Sequence, residues 1–520
     1  MSARAAGLLL HPTSLPGPFG VGDLGPEASR FLEWAQEAGA TLWQVLPLNP
    51  PGPGESPYGG LSAFAGNPLL ISPERLAEEG LLPAEALASA PNFSEGRLDA
   101  GRARRWKTTI LRQAWDRFRT DRPRALVEAF EAFRSSPEQS VWLPDWALFA
   151  ALARRHEDAG WIHWPREVAR REPAALEAAA RELSEEIDRE NFLQFLFDRQ
   201  WDRLRRDARG LGISLVGDVP IYVSHHSADV WANRQLFALD AEGLPETVAG
   251  VPPDYFSRTG QLWGYPLYRW DRMAENGYAW WIARFAAILR RVDLVRVDHF
   301  RGFASFWEVP ASARTAIEGR WVPGPGRAFF EALRQALGSL PLIAEDLGLI
   351  TDDVRELLTA TGIPGMKVLQ FAFSEDDSPH APHRHVANEA VYTGTHDNDT
   401  ARGWFAGLEA EQRQRALDYL GGDGRQIEWD LIRAAYQSVA DRAMVPLQDV
   451  LGLGSEGRMN TPALAGGNWC WRARGADLTA ERAARLRRLA ELTGRGWSEA
   501  QATSRHPEGR RPEGSGHYSP

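Results

Sequence analysis

The sequence predicts an α/β protein: a (β/α)8 barrel of the TIM type, carrying a large helical insertion and long loops over the C-terminal rim of the sheet. Three observations carry this expectation. Short runs rich in Val, Leu and Ile alternate with segments of helical period, which is the pattern of a parallel sheet. One interval between two such runs is far too long for a crossover and is itself helical in pattern. Acidic residues stand just after several of the runs, where a parallel barrel builds its sites.

The runs fall at residues 7–10, 41–46, 213–216, 292–297, 342–344, 367–371 and 390–392. Helical periodicity follows at 27–38, 280–291, 328–337 and 352–358. About eight such units close a barrel. From Leu46 to Ile213 the chain runs for more than 160 residues, where a βαβ unit needs only about 30. Most of 73–210 is Ala, Arg, Glu and Leu at helical spacing, which predicts a mainly helical subdomain inserted in the barrel. The barrel is therefore expected in two parts, 1–72 and 211–497. Within the second part, 221–270 is rich in Pro, Gly, Tyr and Trp without a clean period, and reads as a long, lid-like loop. Residues 498–520 lack apolar periodicity and read as a disordered tail.

Composition narrows the partners. The 520 residues include 59 Lys plus Arg against 69 Asp plus Glu, so no basic surface is available to displace counterions from nucleic acid. No apolar run approaches the roughly 18 residues of a membrane span. The run at 5–10 stops at His11-Pro12, short of the apolar core of about 7 to 15 residues in a secretory signal, so a cytoplasmic protein is expected. Cys470 is the single cysteine, which excludes an intrachain disulfide and a multi-cysteine metal site. The 21 Trp are expected mainly in the core, with those at 260–270 offering apolar platforms of the kind sugar rings suit.

Three carboxylates follow strand-like runs: Asp298, Glu345 and Asp397. They are 47 and 52 residues apart, so different strands must supply them. A lone Asp at a strand end is ordinarily a cap or turn residue. Three of them, two with an adjacent histidine (His299 and His396), point to a site, and paired carboxylates are the equipment for breaking a glycosidic bond. Arg296 and Asp298 share a strand face, so the guanidinium is expected to keep Asp298 ionised as a nucleophile. Glu345 follows the apolar run 341–344, and desolvation there is expected to raise its pKa toward that of a general acid. Asp346 is expected on the opposite face. His380, His383 and His385, and likewise His225 and His226, read as loop histidines in preference to metal ligands. Asp397, Asn398 and Asp399 lack the longer spacing of a calcium loop, and no P-loop or GxGxxG follows a strand.

The stretches HPTSLP (11–16), SPY (56–58), SAFAGNP (62–68), GDVP (217–220), GVPPDYF (250–256), QLWG (261–264), RVDHFRG (296–302), AEDLG (344–348), THDNDT (395–400), NTP (460–462) and GNW (467–469) occur in order. Together they resemble the amylomaltases, the 4-alpha-glucanotransferases of glycoside hydrolase family 77, from about residue 5 to about residue 495. The resemblance implies retaining transfer of a 1,4-alpha-glucan segment to the 4-hydroxyl of a glucose or glucan, with no metal and no organic cofactor. It implies Asp298 as nucleophile, Glu345 as general acid/base and Asp397 as transition-state stabiliser. Asp218, Arg296, His396 and Asn468 would hold the donor sugar, with Tyr58 stacked near it. Asp254, Tyr255, Phe256 and Trp263 would form a mobile loop on the acceptor side. His299 and Asp346, beside the nucleophile and the acid/base, are counted with the substrate-binding residues. The implied partners are maltooligosaccharides and alpha-1,4-glucans, with a monomer or weak homo-oligomer as the expected state. An alpha-glucan hydrolase using the same carboxylates is the alternative. The chain departs from the family pattern at Gly59-Gly60-Leu61, His226, Ala463-Leu464 and Cys470.

Overall fold

The structure, a computed structural model, describes residues 4–253, 257–462, 464 and 466–496. Asp254, Tyr255, Phe256, Ala463 and the tail expected at 498–520 lie outside them.

Eight parallel strands form one sheet: β1 (Ala5–Leu9), β2 (Leu42–Gln44), β3 (Ser214–Val219), β4 (Leu294–Val297), β5 (Leu342–Ala344), β6 (Gly365–Val368), β7 (Glu389–Tyr392) and β8 (Arg442–Pro446). Their order is β6-β7-β8-β1-β2-β3-β4-β5. Seven of the eight correspond to the runs read from the sequence. The eighth, β8, ends in proline and carries the short apolar run 443–445, which is not among the runs read from the sequence. Its partners β7 and β1 identify it.

The barrel closes between β5 and β6 by other means than a full ladder. The Ala344 N–H donates to the Pro364 carbonyl at 2.8 Å. On β6, the Met366 N–H donates to Asp346 Oδ1 at 2.6 Å and the Val368 N–H to His380 Nδ1 at 3.2 Å. Side chains thus satisfy strand donors that a backbone partner would otherwise take.

Inside the barrel, alternate residues point to the axis. Ala5, Leu42, Val216, Leu294, Ile343, Met366, Ala390 and Met444 pack there into an apolar cluster. Gly7 lies in this layer because a Cβ would overlap the Met444 thioether. Toward the C-terminal ends the filling turns polar: Tyr392 donates to Gln44 Oε1 at 2.8 Å, and Asp218 pairs in register with Arg296.

Around the sheet run α1 (Pro26–Glu37), α2 (Ser184–Gly210), α3 (Ala279–Arg291), α4 (Gly326–Leu337), α5 (Asp352–Thr361), α6 (Ile427–Gln437) and α7 (Ala480–Leu492). Four of them match the helical segments read from the sequence. The connection from β6 to β7 carries only short 3-10 turns. Between β2 and β3 the chain is helical as expected, with helices at Ala100–Asp121, Arg124–Arg134 and Leu143–Arg155 before α2. The 27-residue α2 is the crossover helix of this unit and leads straight into β3. Trp201 on it is fully buried and donates to the Arg291 carbonyl, joining α2 to α3. Lys107, also fully buried, ties the insertion to the barrel through Asp23 (2.7 Å) and the Leu69 and Ile71 carbonyls (2.7 and 3.0 Å).

The segment 221–270 departs from the expected loop. It supplies the strands Thr247–Val251 and Gln261–Pro266 to a four-stranded antiparallel sheet completed by Ser305–Pro310 and Arg320–Pro323. Gln261–Pro266 pairs back on Thr247–Val251, and Thr247–Val251 in turn pairs with Ser305–Pro310 from beyond β4, a contact that local periodicity cannot report.

Candidate active site

The C-terminal ends of β3, β4, β5 and β7 bring the predicted carboxylates together. Asp218 on β3 and Arg296 on β4 face the barrel axis as register partners. Arg296 donates through Nη1 to Asp218 Oδ2 at 2.7 Å and through Nη2 to Asp298 Oδ1 at 2.9 Å. The guanidinium is only 4% exposed. Although desolvation opposes it, the two carboxylates hold its pKa well above the usual arginine value. One buried cation therefore fixes two acids.

Beyond Asp298 the chain turns back. His299 adopts left-handed backbone geometry (φ 51°, ψ 50°), unusual for a residue with a side chain. That turn aims the His299 N–H at Glu345 Oε2, 2.7 Å away, and the Phe300 N–H at the Glu345 carbonyl, 3.0 Å away. Leu347 N–H donates to the other oxygen, Oε1, at 2.9 Å. The Glu345 N–H in turn donates to the Val297 carbonyl at 3.0 Å, so the ends of β4 and β5 are interlocked.

The two carboxyl groups differ in electrostatics. Burial, with the nearby Asp298 charge, pushes Glu345 up to about 7 despite Arg296 and the two N–H donors. Burial also raises Asp298, to about 6, against the pull of Arg296. Near neutral pH the pair carries one proton, and the 2.9 Å contact with Arg296 assigns the negative charge to Asp298.

Asp397, in the loop after β7, is held otherwise. Its Oδ2 accepts from His396 Nε2 at 3.2 Å and its Oδ1 from Asn460 Nδ2 at 2.6 Å. Desolvation would raise it, yet His396 and the Asn460 amide bring it down to about 2. His396 is raised in turn, because Asp397 outweighs its burial. His396 Nδ1 also lies within hydrogen-bond distance of the Tyr58 hydroxyl (3.3 Å), which donates to Asp218 Oδ2 (2.9 Å). A continuous hydrogen-bonded chain thus runs from Asp397 through His396, Tyr58, Asp218 and Arg296 to Asp298.

The remaining predicted residues divide. The Tyr58 ring stacks on His396 with centroids 4.7 Å apart, and Trp263 meets His299 edge-on at 4.7 Å. Both flank the cluster. The Asn468 amide is engaged within its own loop, accepting from the Thr461 N–H and donating to the Thr461 and Leu464 carbonyls. Asp346 turns away from the three carboxylates to the β5–β6 seam, where Met366 and Lys367 are its neighbours. His383 and His385 bond Tyr419 and Ser438. Asp254, Tyr255 and Phe256 fall outside the described residues. Three residues that the sequence reading gave no role belong to the site: Asn460 and Arg458 beside Asp397, and Trp469, whose ring lies 5.8 Å from His396. Asn460 and Trp469 stood inside recognised motifs, but nothing local assigns them a target.

Comparisons with known proteins identify the family to which the chain belongs. The sequence model of glycoside hydrolase family 77, described as 4-alpha-glucanotransferase, matches residues 10–479. The 4-alpha-glucanotransferase of Thermus thermophilus is 48% identical over 501 residues, covering 95% of this chain and 99% of its own length. That of Synechocystis is 49% identical, with 95% and 99% covered. Among solved structures, the amylomaltase from Streptococcus agalactiae in complex with acarbose superposes with a TM-score of 0.91 at 36% identity, covering 95% of this chain and 100% of that one. The amylomaltase from Corynebacterium glutamicum shares the fold, with a TM-score of 0.77 at 20% identity. With a family match over nearly the whole chain and relatives of this similarity along their full length, the protein is an enzyme of the 4-alpha-glucanotransferase family, the amylomaltases.

Proposed function

We propose that the enzyme transfers a 1,4-alpha-glucan segment between maltooligosaccharides by retaining double displacement. The observation that carries this reading is the division of charge at the site. Asp298 is ionised against Arg296, while Glu345, bound to the backbone beside it, keeps its proton near neutral pH.

Asp298 attacks the anomeric carbon of the donor as Glu345 gives its proton to the glycosidic oxygen. The glycosidic bond breaks, the shortened glucan leaves with that proton, and a glycosyl ester forms on Asp298. Glu345, now ionised, takes the proton of an acceptor 4-hydroxyl. The hydroxyl oxygen attacks the same carbon and Asp298 is released. Asp397, ionised at any pH above about 2, stabilises the positive charge that develops on the sugar ring. Asp218, Arg296, His396 and Tyr58 form the floor against which the donor sugar lies. Trp263, with the 254–256 segment, favours a sugar acceptor over water.

Among the described residues no helix is long and apolar enough to cross a membrane. We place the enzyme in the cytoplasm on its single cysteine, as a monomer or weak homo-oligomer.

The test is incubation with maltotriose alone, with products resolved by chain length. Longer maltooligosaccharides appearing together with glucose support the transferase. Products no longer than the substrate would instead identify a hydrolase.

A further inference from the structure

The contacts around Asp397 single out two residues with no role so far. Asn460 donates through Nδ2 to Asp397 Oδ1 at 2.6 Å, and its backbone N–H donates to the His396 carbonyl at 3.1 Å. Arg458 spans the same two loops from behind. Its Nη2 donates to the Asp397 carbonyl at 2.7 Å and its Nε to the Asn460 carbonyl at 2.7 Å. The loop after β7 and the 458–460 segment are therefore stitched together at three points, two on Asp397 and one on His396, while the fourth bond ties Arg458 to Asn460 within its own segment.

We propose that Asn460 and Arg458 are positioning residues that hold the Asp397 carboxylate in the one orientation in which it serves the transition state. The inference rests on Asp397 as transition-state stabiliser. The geometry explains why the carboxylate needs such a device. Its side chain is 47% exposed, and His396 holds only one of its oxygens. Rotation about the terminal carboxylate torsion is soft, so a single hydrogen bond leaves the other oxygen free to turn toward solvent. The Asn460 amide removes that freedom. The amide is itself fixed only while its backbone stays beside Asp397, which is what the planar guanidinium of Arg458 secures by gripping one carbonyl on each loop. A carboxylate already oriented reorganises less when the sugar becomes cationic, so the benefit falls on the transition state and not on ground-state binding.

The test is steady-state kinetics of maltotriose disproportionation for Asn460→Ala, Arg458→Ala and Arg458→Lys, each first checked for an unchanged thermal midpoint. Binding of 1-deoxynojirimycin, a cationic mimic of the transition state, is measured alongside binding of maltose. Asn460→Ala and Arg458→Ala are expected to lower kcat about 10- to 100-fold with KM within about threefold. Affinity for the imino sugar should fall in parallel while maltose binding stays level. Arg458→Lys, a point charge without the fork, should lie between wild type and Arg458→Ala. In an Asp397→Asn background, Asn460→Ala should cost less than about threefold, because the charge that Asn460 orients is already gone. Unchanged kcat, equal losses of maltose and imino-sugar binding, or full additivity with Asp397→Asn would overturn the proposal. An Asp397→Asn enzyme of full activity would be a different failure, removing the role of Asp397 itself and the inference with it.

Discussion

The backbone N–H of His299 donates to the Glu345 carboxylate at 2.7 Å, and it does so because His299 is held at φ +51°. The residue directly after one carboxylate thus orients the other, and the turn is braced by Trp263 against the imidazole ring. Backbone in this region is costly for most residues, by about 1 to 3 kcal/mol, and persists where its surroundings over-determine it.

Replacing His299 separates the turn from the ring. His299→Asn, whose side chain tolerates left-handed backbone, should keep more turnover than His299→Val, which is β-branched and resists it. We expect at least about a tenfold gap in kcat between the two, accompanied by a lower melting temperature for the valine variant. Equal kcat values on maltotriose would show that the turn contributes nothing to Glu345.

The pH profile follows from the two carboxyls. On the proposed roles Asp298 acts ionised and Glu345 protonated, so kcat/KM should rise through about pH 6 and fall through about pH 7. The same shift bears on stability. Glu345 binds its proton more tightly folded (about 7) than unfolded (4.5), so its contribution to stability is lost as pH rises from about 4.5 through about 7. Glu345→Gln should therefore be inactive yet more stable than wild type at pH 8, by about 1 to 2 kcal/mol, with little gain at pH 4.5. Denaturant titrations at the two pH values check this, and a variant no more stable at pH 8 would contradict it.

The histidine of the barrel seam, His380, titrates in the opposite direction. His380 accepts from the Val368 N–H through a neutral ring nitrogen, and burial lowers its pKa from 6.5 to about 4. The folded state binds fewer protons there than the unfolded chain, so stability should fall as pH drops from about 6.5 toward 4. His380→Gln, whose amide oxygen can accept at any pH, should flatten that fall, whereas Asp346→Ala should cost about 1 to 3 kcal/mol near pH 4 by orphaning the Met366 N–H, and less above about pH 6, because burial raises Asp346 to about 6 and its contribution weakens as it ionises. Melting temperatures across pH 4 to 8 discriminate the two behaviours. An acid-induced fall of the same size in His380→Gln would exclude His380 as its source.

How much of this was legible in the sequence depends on the range of the interaction concerned. Seven of the eight barrel strands, four outer helices and the helical character of 73–210 announce themselves in runs and periods, because each is specified by apolar spacing within a few residues. The positions of Asp298, Glu345 and Asp397 after their strands were equally visible, as was the sharing of one strand face by Arg296 and Asp298. The strand β8, a three-residue apolar run before Pro446, was not singled out, and the small antiparallel sheet was not legible because its two hairpins join through Thr247–Val251 and Ser305–Pro310, remote from each other along the chain. Nor did the order of residues reveal that Asp346 serves the seam while its neighbour Glu345 serves the site. Alternation along an extended backbone predicted opposite faces, but not what each face meets.

The sequence by itself determined the barrel, its helical insertion, the family and the identity of the three acids, because strand period, helix period and ordered motifs are local properties. Only the tertiary structure decided what those acids are to one another. The charge on Asp298, the proton on Glu345 and the orientation of Asp397 depend on Arg296, on the His299 turn and on the Asn460 amide. Burial and distance, which set a carboxyl's protonation, exist only once strands far apart in the chain have closed around a common axis.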